Sequence, residues 1–368
     1  MIAERWRRLS QALQSHGLQA LALTPGPSLY YLTGLSFHLM ERPVIGLFPP
    51  SGRACLVLPE LEREKAEASG LDLRLESYGE EEPARAEALS RALSALSLSD
   101  GRIGIEPLRM RVMELRLLER VAPSAQFVPA EAVIASLRLA KEAAEVEAMR
   151  QAVRAAESAL EAALPLVRAG MSERELASEL TLQMLRAGSE PELPFPPIVA
   201  SGPNSALPHA VASDRRLQPG DLVLLDWGAS VRGYISDLTR TFSLGPPSDE
   251  WLRLHSVVAQ ANAAGREAVR PGATCADVDR AARAVIASAG YGEAFLHRTG
   301  HGIGLEAHEP PYIRGDNPEP LARGMTFTIE PGIYFPGRGG IRIEDNVLVT
   351  PEGSDCLTTL PRQLRQIA

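Results

Sequence analysis

The sequence predicts a two-domain protein, with a smaller α/β domain at the N-terminus and a larger α+β domain behind it. The length of 368 residues exceeds one average domain and suits two. Helix and strand signals alternate as far as about residue 132. From there long helices precede a region of short β runs, proline and glycine. We therefore expect domains at 1–132 and 133–368.

The N-terminal domain alternates elements from its start. Leucines and a tryptophan recur at helical spacing over 4–16, and an apolar run at 18–24 predicts a strand that TPGPS ends. The runs at 44–50 and 54–60 predict a strand pair around the turn PPSGR. A helix, a strand and a helix then follow, in the sequences EEPARAEALSRALSAL, GRIGIEP and RMRVMELRLLERVAP.

Two helices open the C-terminal domain. The first ends at the glycine of KEAAEVEAMRQAVRAAESALEAALPLVRAG, and the second begins with a capping box of Ser172 and Glu175. Short β runs occupy 194–245, helix occupies 250–290, and strands and turns occupy 297–350. This order predicts helices around a central antiparallel sheet.

Composition limits the location and the partners. The chain has 45% hydrophobic and 23% charged residues, which is typical of a globular protein. No apolar run reaches about 18 residues, and the N-terminus lacks the continuous apolar stretch of a signal peptide. Three isolated cysteines fit a reducing compartment. The net charge of −8 argues against nucleic acid. We expect a cytoplasmic protein without membrane or nucleic-acid partners.

Five potential metal ligands occur in the last third of the chain. Acids interrupt the apolar strand sequences VLLDW, FTIEP and IRIED, and burying an acid is costly unless it is paired or bound to a metal. Carboxylates with one imidazole suit two divalent ions of the manganese, cobalt or iron type better than a structural zinc. The five residues are Asp226, Asp237, His301, Glu330 and Glu344.

Two strand pairs are expected to gather the acids. LVLLDWGASVRGYISDLTRTF predicts a hairpin with its turn near 232–233, which brings Asp226 and Asp237 to the same end of a sheet. MTFTIEPGIY and GIRIEDNVLVT predict a second pair that places Glu330 across from Glu344. Two ions held by bridging carboxylates can share a hydroxide and stabilise a hydrolytic transition state.

A histidine-rich segment, HRTGHGIGLEAHEPP, contributes three of the seven histidines: His297, His301 and His308. Glycines around His301 allow close backbone approach. A metal ligand, a hydrogen-bond donor and a proton shuttle could all come from this segment, because histidine is easily tuned for proton transfer near neutrality.

With these motifs in view, the chain resembles the pita-bread metallopeptidases, in the proline-peptidase branch that contains prolidase and aminopeptidase P. The resemblance implies a C-terminal pita-bread (creatinase/aminopeptidase-like) catalytic domain, a creatinase/prolidase-type N-terminal domain and a homodimer. It covers nearly the whole chain and is carried by QALALTPGPSLYYLTG, NSALPHA, GDLVLLDWGA, GYISDLTRTF, GHGIGLEAHEPP, TIEPGIY and GIRIED.

The resemblance implies a role for each metal ligand. Asp226 would chelate one ion, and Asp237 and Glu344 would bridge both. His301 and Glu330 would complete the second site, with Glu330 also acting as general base.

The resemblance also implies a substrate pocket. His209 would bind substrate, His308 would stabilise the tetrahedral intermediate or the leaving group, and His297 would line the pocket. Arg342 would orient the ligand carboxylates, and Tyr334 would be a further pocket member.

The implied activity is hydrolysis of the Xaa-Pro peptide bond by a hydroxide that bridges two divalent ions. Mn²⁺ is expected, with Co²⁺, Fe²⁺ and Zn²⁺ as alternatives. The substrates would be proline-containing dipeptides or short peptides, and Xaa-Pro dipeptidase is favoured over Xaa-Pro aminopeptidase. The intact ligand set argues against a creatinase-like enzyme and against a non-enzymatic binding module. Residues 1–132 argue against methionine aminopeptidase.

This chain differs from the branch at the residue that would bind the substrate carboxylate. Some prolidases carry an arginine four residues after the second pocket histidine, where this chain has Tyr312. The hypothesis from sequence is that Arg42 or Arg338 holds the substrate carboxylate instead. Tyr312 stays a candidate pocket residue, and in the aminopeptidase alternative it would mark an open end of the pocket.

Overall fold

The computed structural model describes residues 2–368, which form two compact units divided between Arg138 and Leu139. The division falls beyond the predicted boundary at 132/133. It does so because the helix Glu131–Arg138 packs on the first helix of the chain, Ile2–Ser15, within the N-terminal unit.

One mixed six-stranded sheet with helices forms the N-terminal unit. The helices are α1 (Ile2–Ser15), α2 (Pro27–Thr33), α3 (Arg63–Ala68), α4 (Glu82–Ala95), α5 (Val112–Val121) and α6 (Glu131–Arg138). The strands are β1 (Ala20–Leu23), β2 (Ile45–Phe48), β3 (Cys55–Pro59), β4 (Arg74–Tyr78), β5 (Asp100–Ile105) and β6 (Ser124–Pro129). Their order in the sheet is β4-β3-β2-β1-β5-β6.

The predicted strand pair, β2 and β3, is present and antiparallel, whereas β1 and β5 run parallel. Sequence analysis missed the edge strands β4 and β6. Both have half-exposed, mixed sequences, RLESY and SAQFVP, that lack an apolar run. The sequence also did not predict α2, which starts at Pro27, directly after Gly26, and is capped by Gly34, whose φ of 71° suits glycine.

The C-terminal unit contains four longer helices and thirteen strands among the residues described. The helices are α7 (Ala143–Ala163), α8 (Glu173–Arg186), α9 (Asp249–Ala268) and α10 (Cys275–Ser288). The strands are β7 (Ile198–Ser201), β8 (Leu222–Trp227), β9 (Ser230–Val231), β10 (Tyr234–Ile235), β11 (Leu238–Leu244), β12 (Gly300–Gly302), β13 (Glu309–Ile313), β14 (Thr326–Ile329), β15 (Gly332–Phe335), β16 (Gly339–Arg342), β17 (Asp345–Val349), β18 (Ser354–Cys356) and β19 (Arg365–Ile367).

The single central antiparallel sheet expected from sequence is instead divided. A four-stranded sheet has the order β19-β11-β8-β7, and a five-stranded sheet has the order β13-β12-β14-β17-β18. Strand β19 also joins β11 in parallel. Between β14 and β15 stands Pro331, which has no N–H to continue the ladder. The strands after it form a separate two-stranded ladder, β15–β16.

The helices cover the sheets with their apolar faces. The predicted capping box at the start of α8 is confirmed, because Ser172 and Glu175 exchange hydrogen bonds of 2.7 and 3.1 Å. Trp227 on β8 is fully buried and donates its indole N–H to Ala156 O on α7 at 2.9 Å.

No helix within residues 2–368 has both the length and the apolar character needed to cross a membrane.

A buried ion pair fixes the start of β13. Lys141 Nζ donates to Glu309 Oε1 at 2.7 Å, and both side chains are almost completely shielded from solvent. Breaking such a pair is strongly destabilising, by about 3–5 kcal/mol, because one charge stays buried. Since Glu309 follows His308 directly, the pair also fixes the backbone beside that histidine.

Candidate metal centre and active site

The hairpin of β8 and β11 positions two of the acids. Asp226 lies opposite Thr239 in the ladder, and Asp237 stands immediately before β11. The turn falls at 232–233 as predicted, with φ values of 52° and 73°. The Asp237 backbone is held by Asn346, whose side chain accepts from the Asp237 N–H at 3.1 Å and donates to its carbonyl.

The second strand pair places the other two acids opposite each other, as predicted. Ile329 pairs with Asp345, and the separate β15–β16 ladder resumes beyond Pro331, so Glu330 and Glu344 face each other between the two ladders. Thr239 then connects the two strand pairs. It accepts the Glu344 N–H on its carbonyl at 3.1 Å and donates its hydroxyl to Glu344 Oε2 at 2.6 Å.

His301 completes the cluster from β12. Its Nε2 lies 3.2 Å from Glu330 Oε1 and 3.7 Å from Asp237 Oδ2. Its Nδ1 lies 3.2 Å from Gly302 O, so an Nδ1–H donated to that carbonyl leaves Nε2 as a ligand atom. Glycine is required on both sides, because a Cβ at Gly300 or Gly302 would stand 1.8 or 2.2 Å from a backbone oxygen.

The cluster has the electrostatics of a cation site. Potential ligand atoms of Asp237, His301 and Glu344 all lie within 4.8 Å of one another. Burial, reinforced by the neighbouring carboxylates, raises the pKa of Asp237 and of Glu344 well above the ordinary range. Burial also raises the pKa of Asp226, partly offset by Arg342.

Glu330 differs from the other three acids. Burial acts to raise its pKa, but the hydrogen bond and charge of His301 lower it overall. Within residues 2–368, Oδ1 of Asp226 is buried and has no hydrogen-bond partner. A set of crowded acids with one unused acceptor fits divalent cations, which would neutralise the acids and use that oxygen.

Arg342 organises the acids from one side. Its Nη2 donates to Asp226 Oδ2 at 2.5 Å, its Nε donates to Thr239 Oγ1 at 3.1 Å, and its Nη1 donates to Tyr334 OH at 2.9 Å. Burial raises the pKa of Tyr334 to about 12, so its hydroxyl keeps its proton. That hydroxyl lies 2.8 Å from His297 Nε2, while His297 Nδ1 lies 2.7 Å from Arg298 O. His297 is thus held as the Nδ1–H tautomer by its neighbours.

The other two histidines stand at the rim and are exposed. The His308 ring lies 4.0 Å from the His301 ring, measured between centroids. Burial lowers the pKa of His297. His209 lies beside the cluster because the carbonyl of Pro208, its neighbour in the chain, accepts from Arg342 Nη1 at 3.2 Å. The structure therefore gathers the five ligand residues with His209, His297, His308, Arg342 and Tyr334.

Arg298 was missed by sequence analysis. Its guanidinium lies 4.6 Å above the Tyr312 ring, and its Nη2 lies 3.3 Å from His308 Nδ1. Within the described residues it forms no ion pair with a carboxylate. The available signal was its place between two histidines of one motif, opposite the strand that carries Tyr312.

The two arginines suggested from sequence are already paired. Arg338 donates to both oxygens of Glu250 at 2.8 Å, and its guanidinium lies over the rings of Trp251 and Phe335. Arg42 belongs to the N-terminal unit, where it donates to Glu80 Oε1 at 2.8 Å. Within the part of the C-terminal unit that the structure describes, Arg338 has no hydrogen bond or ion pair with a ligand residue.

The fold and this cluster define a metal-dependent peptidase, and sequence comparison identifies the family. Residues 147–351 match metallopeptidase family M24, and residues 5–140 match the creatinase/prolidase N-terminal domain. The chain belongs to metallopeptidase family M24.

Its relatives carry related names. An Xaa-Pro dipeptidase from Pyrococcus horikoshii is 34% identical over 363 residues, which cover 98% of this chain and 98% of that protein. A solved dipeptidase from Pyrococcus horikoshii OT3 is 39% identical with a TM-score of 0.93, covering 99% of this chain and 100% of that one. A solved X-Pro aminopeptidase from Thermotoga maritima MSB8 is 32% identical with a TM-score of 0.87, covering 98% and 99%.

The repulsion between the carboxylates of the cluster leads to a prediction for Asp237→Asn. An acid whose pKa is raised by folding destabilises the fold at neutral pH, so the substitution should raise Tm of the metal-free protein by about 2–4 °C. It should also reduce the stabilisation by Mn²⁺, which reaches about 2.7 kcal/mol per site at one hundred times Kd. Calorimetry of chelated and Mn²⁺-loaded samples measures both effects.

The matched control is Asp316→Asn, the same change at a side chain that is 77% exposed. It should leave the Mn²⁺-dependent rise in Tm unchanged. An Asp237→Asn protein with a lower metal-free Tm and an undiminished response to Mn²⁺ would contradict the assignment of this cluster as the cation site.

Proposed function

We propose that this protein is an Xaa-Pro dipeptidase that uses two divalent ions, with Mn²⁺ as the physiological metal. The observation that carries the proposal is one buried group of four carboxylates and His301, bordered by three further histidines. The names of its relatives support the reaction and the proline preference. The hard, mostly oxygen ligand set supports manganese.

The metal would be held by the five ligand residues proposed from sequence. Asp226 would serve one ion, Asp237 and Glu344 would be shared, and His301 with Glu330 would serve the other. When bound, the ions supply a Lewis acid that activates water and polarises the scissile carbonyl. Arg342 keeps Asp226 in place from outside the ligand set.

Side chains of the protein would then transfer the proton of the attacking water. One oxygen of Glu330, Oε1, accepts the hydroxyl of Thr328 at 3.2 Å and lies on the side of His301, which leaves Oε2 to accept the proton of the attacking water. Glu330 passes that proton to the leaving imino nitrogen. His308 stabilises the tetrahedral intermediate from the rim. Because an acylated proline nitrogen has no N–H, recognition depends on ring shape and on contacts to the rest of the substrate.

Arg298 is proposed as the contact for the substrate carboxylate, in place of Arg42 or Arg338. Its guanidinium is supported by Tyr312 and by His308, the same rim histidine that faces the ligand cluster. A planar guanidinium binds a carboxylate with two parallel hydrogen bonds. Arg338 is less suited because its Nη2 already donates to both oxygens of Glu250.

For Arg298→Ala we expect KM for Ala-Pro to rise about ten- to a hundredfold, as a lost charge-assisted hydrogen bond predicts, with kcat nearly unchanged. Initial-rate kinetics on Mn²⁺-loaded enzyme measure this. Arg314→Ala, an exposed arginine near Tyr312, is the matched control. If Arg298→Ala leaves KM unchanged and Arg338→Ala raises it, Arg338 and not Arg298 binds the substrate carboxylate.

The length of the substrate decides between dipeptidase and aminopeptidase. The similarity to a solved X-Pro aminopeptidase keeps the second activity as a specific alternative. We expect Mn²⁺-loaded enzyme to cleave Ala-Pro and to leave Ala-Pro-Ala largely intact, with a chelated sample as control. Preferential cleavage of the tripeptide would establish an aminopeptidase instead. Cleavage of neither would overturn the proposed proline specificity.

We also propose a homodimer formed through the N-terminal unit. The side chain of Arg111 donates to Met40 O and so joins the loop at 39–40 to the start of α5. The exposed apolar residues of these two segments and of the turn before α5 are Leu39, Met40, Leu108, Val112 and Met113. Sedimentation velocity should show one species of twice the 39.7 kDa chain mass, and a monomer would contradict the proposal. The cytoplasmic location stays a prediction.

A further inference from the structure

We propose that Glu173 is a positioning residue that fixes the loop carrying His209 at the substrate pocket. The His209 loop is defined here as residues 202–212, between β7 and β8. The inference rests on the proposed function, because it concerns how that function's rim histidine is held. Glu173 itself lies at the first position of α8 and is fully buried.

The carboxylate of Glu173 ties both ends of the loop together. Its Oε1 accepts from the N–H and the hydroxyl of Ser201, at 2.7 and 2.8 Å. Its Oε2 accepts from the hydroxyl and the N–H of Ser213, at 2.6 and 3.1 Å. Asn204 Nδ2 donates to both oxygens at 3.1 Å. One side chain therefore receives hydrogen bonds from the residue before the loop, the residue after it and a residue within it.

The outer part of the loop reaches the metal-ligand network. Pro208, next to His209, accepts on its carbonyl from Arg342 Nη1 at 3.2 Å. Ser205 accepts on its hydroxyl from the Gly340 N–H at 2.9 Å, on the strand that carries Arg342. His209 itself is exposed. The position of the imidazole thus depends on the backbone, and Glu173 fixes that backbone at its base.

A simpler interpretation is that Glu173 only stabilises the helix, since an acid in the first turn interacts favourably with the helix dipole. The hydrogen-bond donors around Glu173 indicate that it also fixes the loop. Every partner of Glu173 is a neutral donor on or beside the loop, and a fully buried glutamate is uncommon unless its acceptors are used. Among the residues that the structure describes, the side chain of Glu175 in the same helical turn forms a hydrogen bond with Ser172 alone, in the capping box. A change at Glu175 therefore tests the helix without the loop.

Glu173→Gln is the sharpest substitution because it keeps the shape and replaces one acceptor oxygen by an NH₂ group. That group would face donors from Ser201 or Ser213 and could not accept from them. Glu175→Gln, which weakens the cap of the same helix without touching the loop, is the matched control.

The test compares Mn²⁺-loaded wild type, Glu173→Gln, Glu175→Gln, His209→Ala and the double variant Glu173→Gln/His209→Ala on Ala-Pro. We expect kcat/KM of Glu173→Gln to fall about ten- to a hundredfold, as for a misplaced binding group, with metal content unchanged. Added to His209→Ala, the same change should cost almost nothing further, because both act through one side chain. Additive losses, lost metal or a Glu173→Gln enzyme equal to Glu175→Gln would overturn the proposal.

Hydrogen exchange provides a readout that does not require activity. Amides of residues 202–212 should exchange faster in Glu173→Gln than in wild type and Glu175→Gln, while α7 stays unchanged. If the wild-type enzyme cleaves neither Ala-Pro nor Ala-Pro-Ala, the proposed function fails. The role of Glu173 in holding the His209 loop is tested separately, because unchanged exchange of residues 202–212 in Glu173→Gln would overturn it.

Ser213→Ala is the second variant, should Glu173→Gln not fold. It removes one hydroxyl donor and retains the Ser213 N–H contact, so we expect the same changes in exchange and kcat/KM on a smaller scale. Ser213→Ala values equal to those of wild type in both measurements would contradict the proposal.

Discussion

The repulsion among four clustered carboxylates, three of them buried, is the constraint on which the C-terminal unit depends. Such acids can stay together only if the backbone around them cannot relax and a cation neutralises them. The backbone is fixed because Thr239 joins the two strand pairs that carry the acids, through both its carbonyl and its hydroxyl. Arg342 supplies one permanent positive charge and leaves Asp226 Oδ1 unused. The site is therefore shaped by the protein and completed by metal.

The segments that bear the rim histidines are held by buried acids in a similar way. Glu173 ties the His209 loop, and the Lys141–Glu309 pair fixes the backbone after His308. Asp279 on α10 accepts from the N–H and the hydroxyl of Thr299 at 3.1 and 2.8 Å, and so fixes the segment between His297 and His301. Loops that carry function need such supports, because unsupported segments open at low cost in free energy.

Much of this site followed from sequence because its residues lie within regular strands. Once the turn at 232–233 was recognised, the ladder alone brought Asp226 and Asp237 to one end, and the same reasoning placed Glu330 opposite Glu344. Arg298 was missed because its place between two histidines does not by itself distinguish it from a solvated surface arginine. Only the fold places its guanidinium over Tyr312 and beside His308.

Sequence alone was enough to predict the two-domain plan, the elements with strong apolar periodicity, the candidate metal ligands and the family, because each depends on local pattern or spacing. Tertiary structure decided the division of the sheet at Pro331, the edge strands β4 and β6, and which arginines are already paired. It also decided the role proposed for Glu173, whose six hydrogen bonds come from residues 28 to 40 positions away. Such contacts exist only after folding brings distant segments together, so no local pattern of residues encodes them.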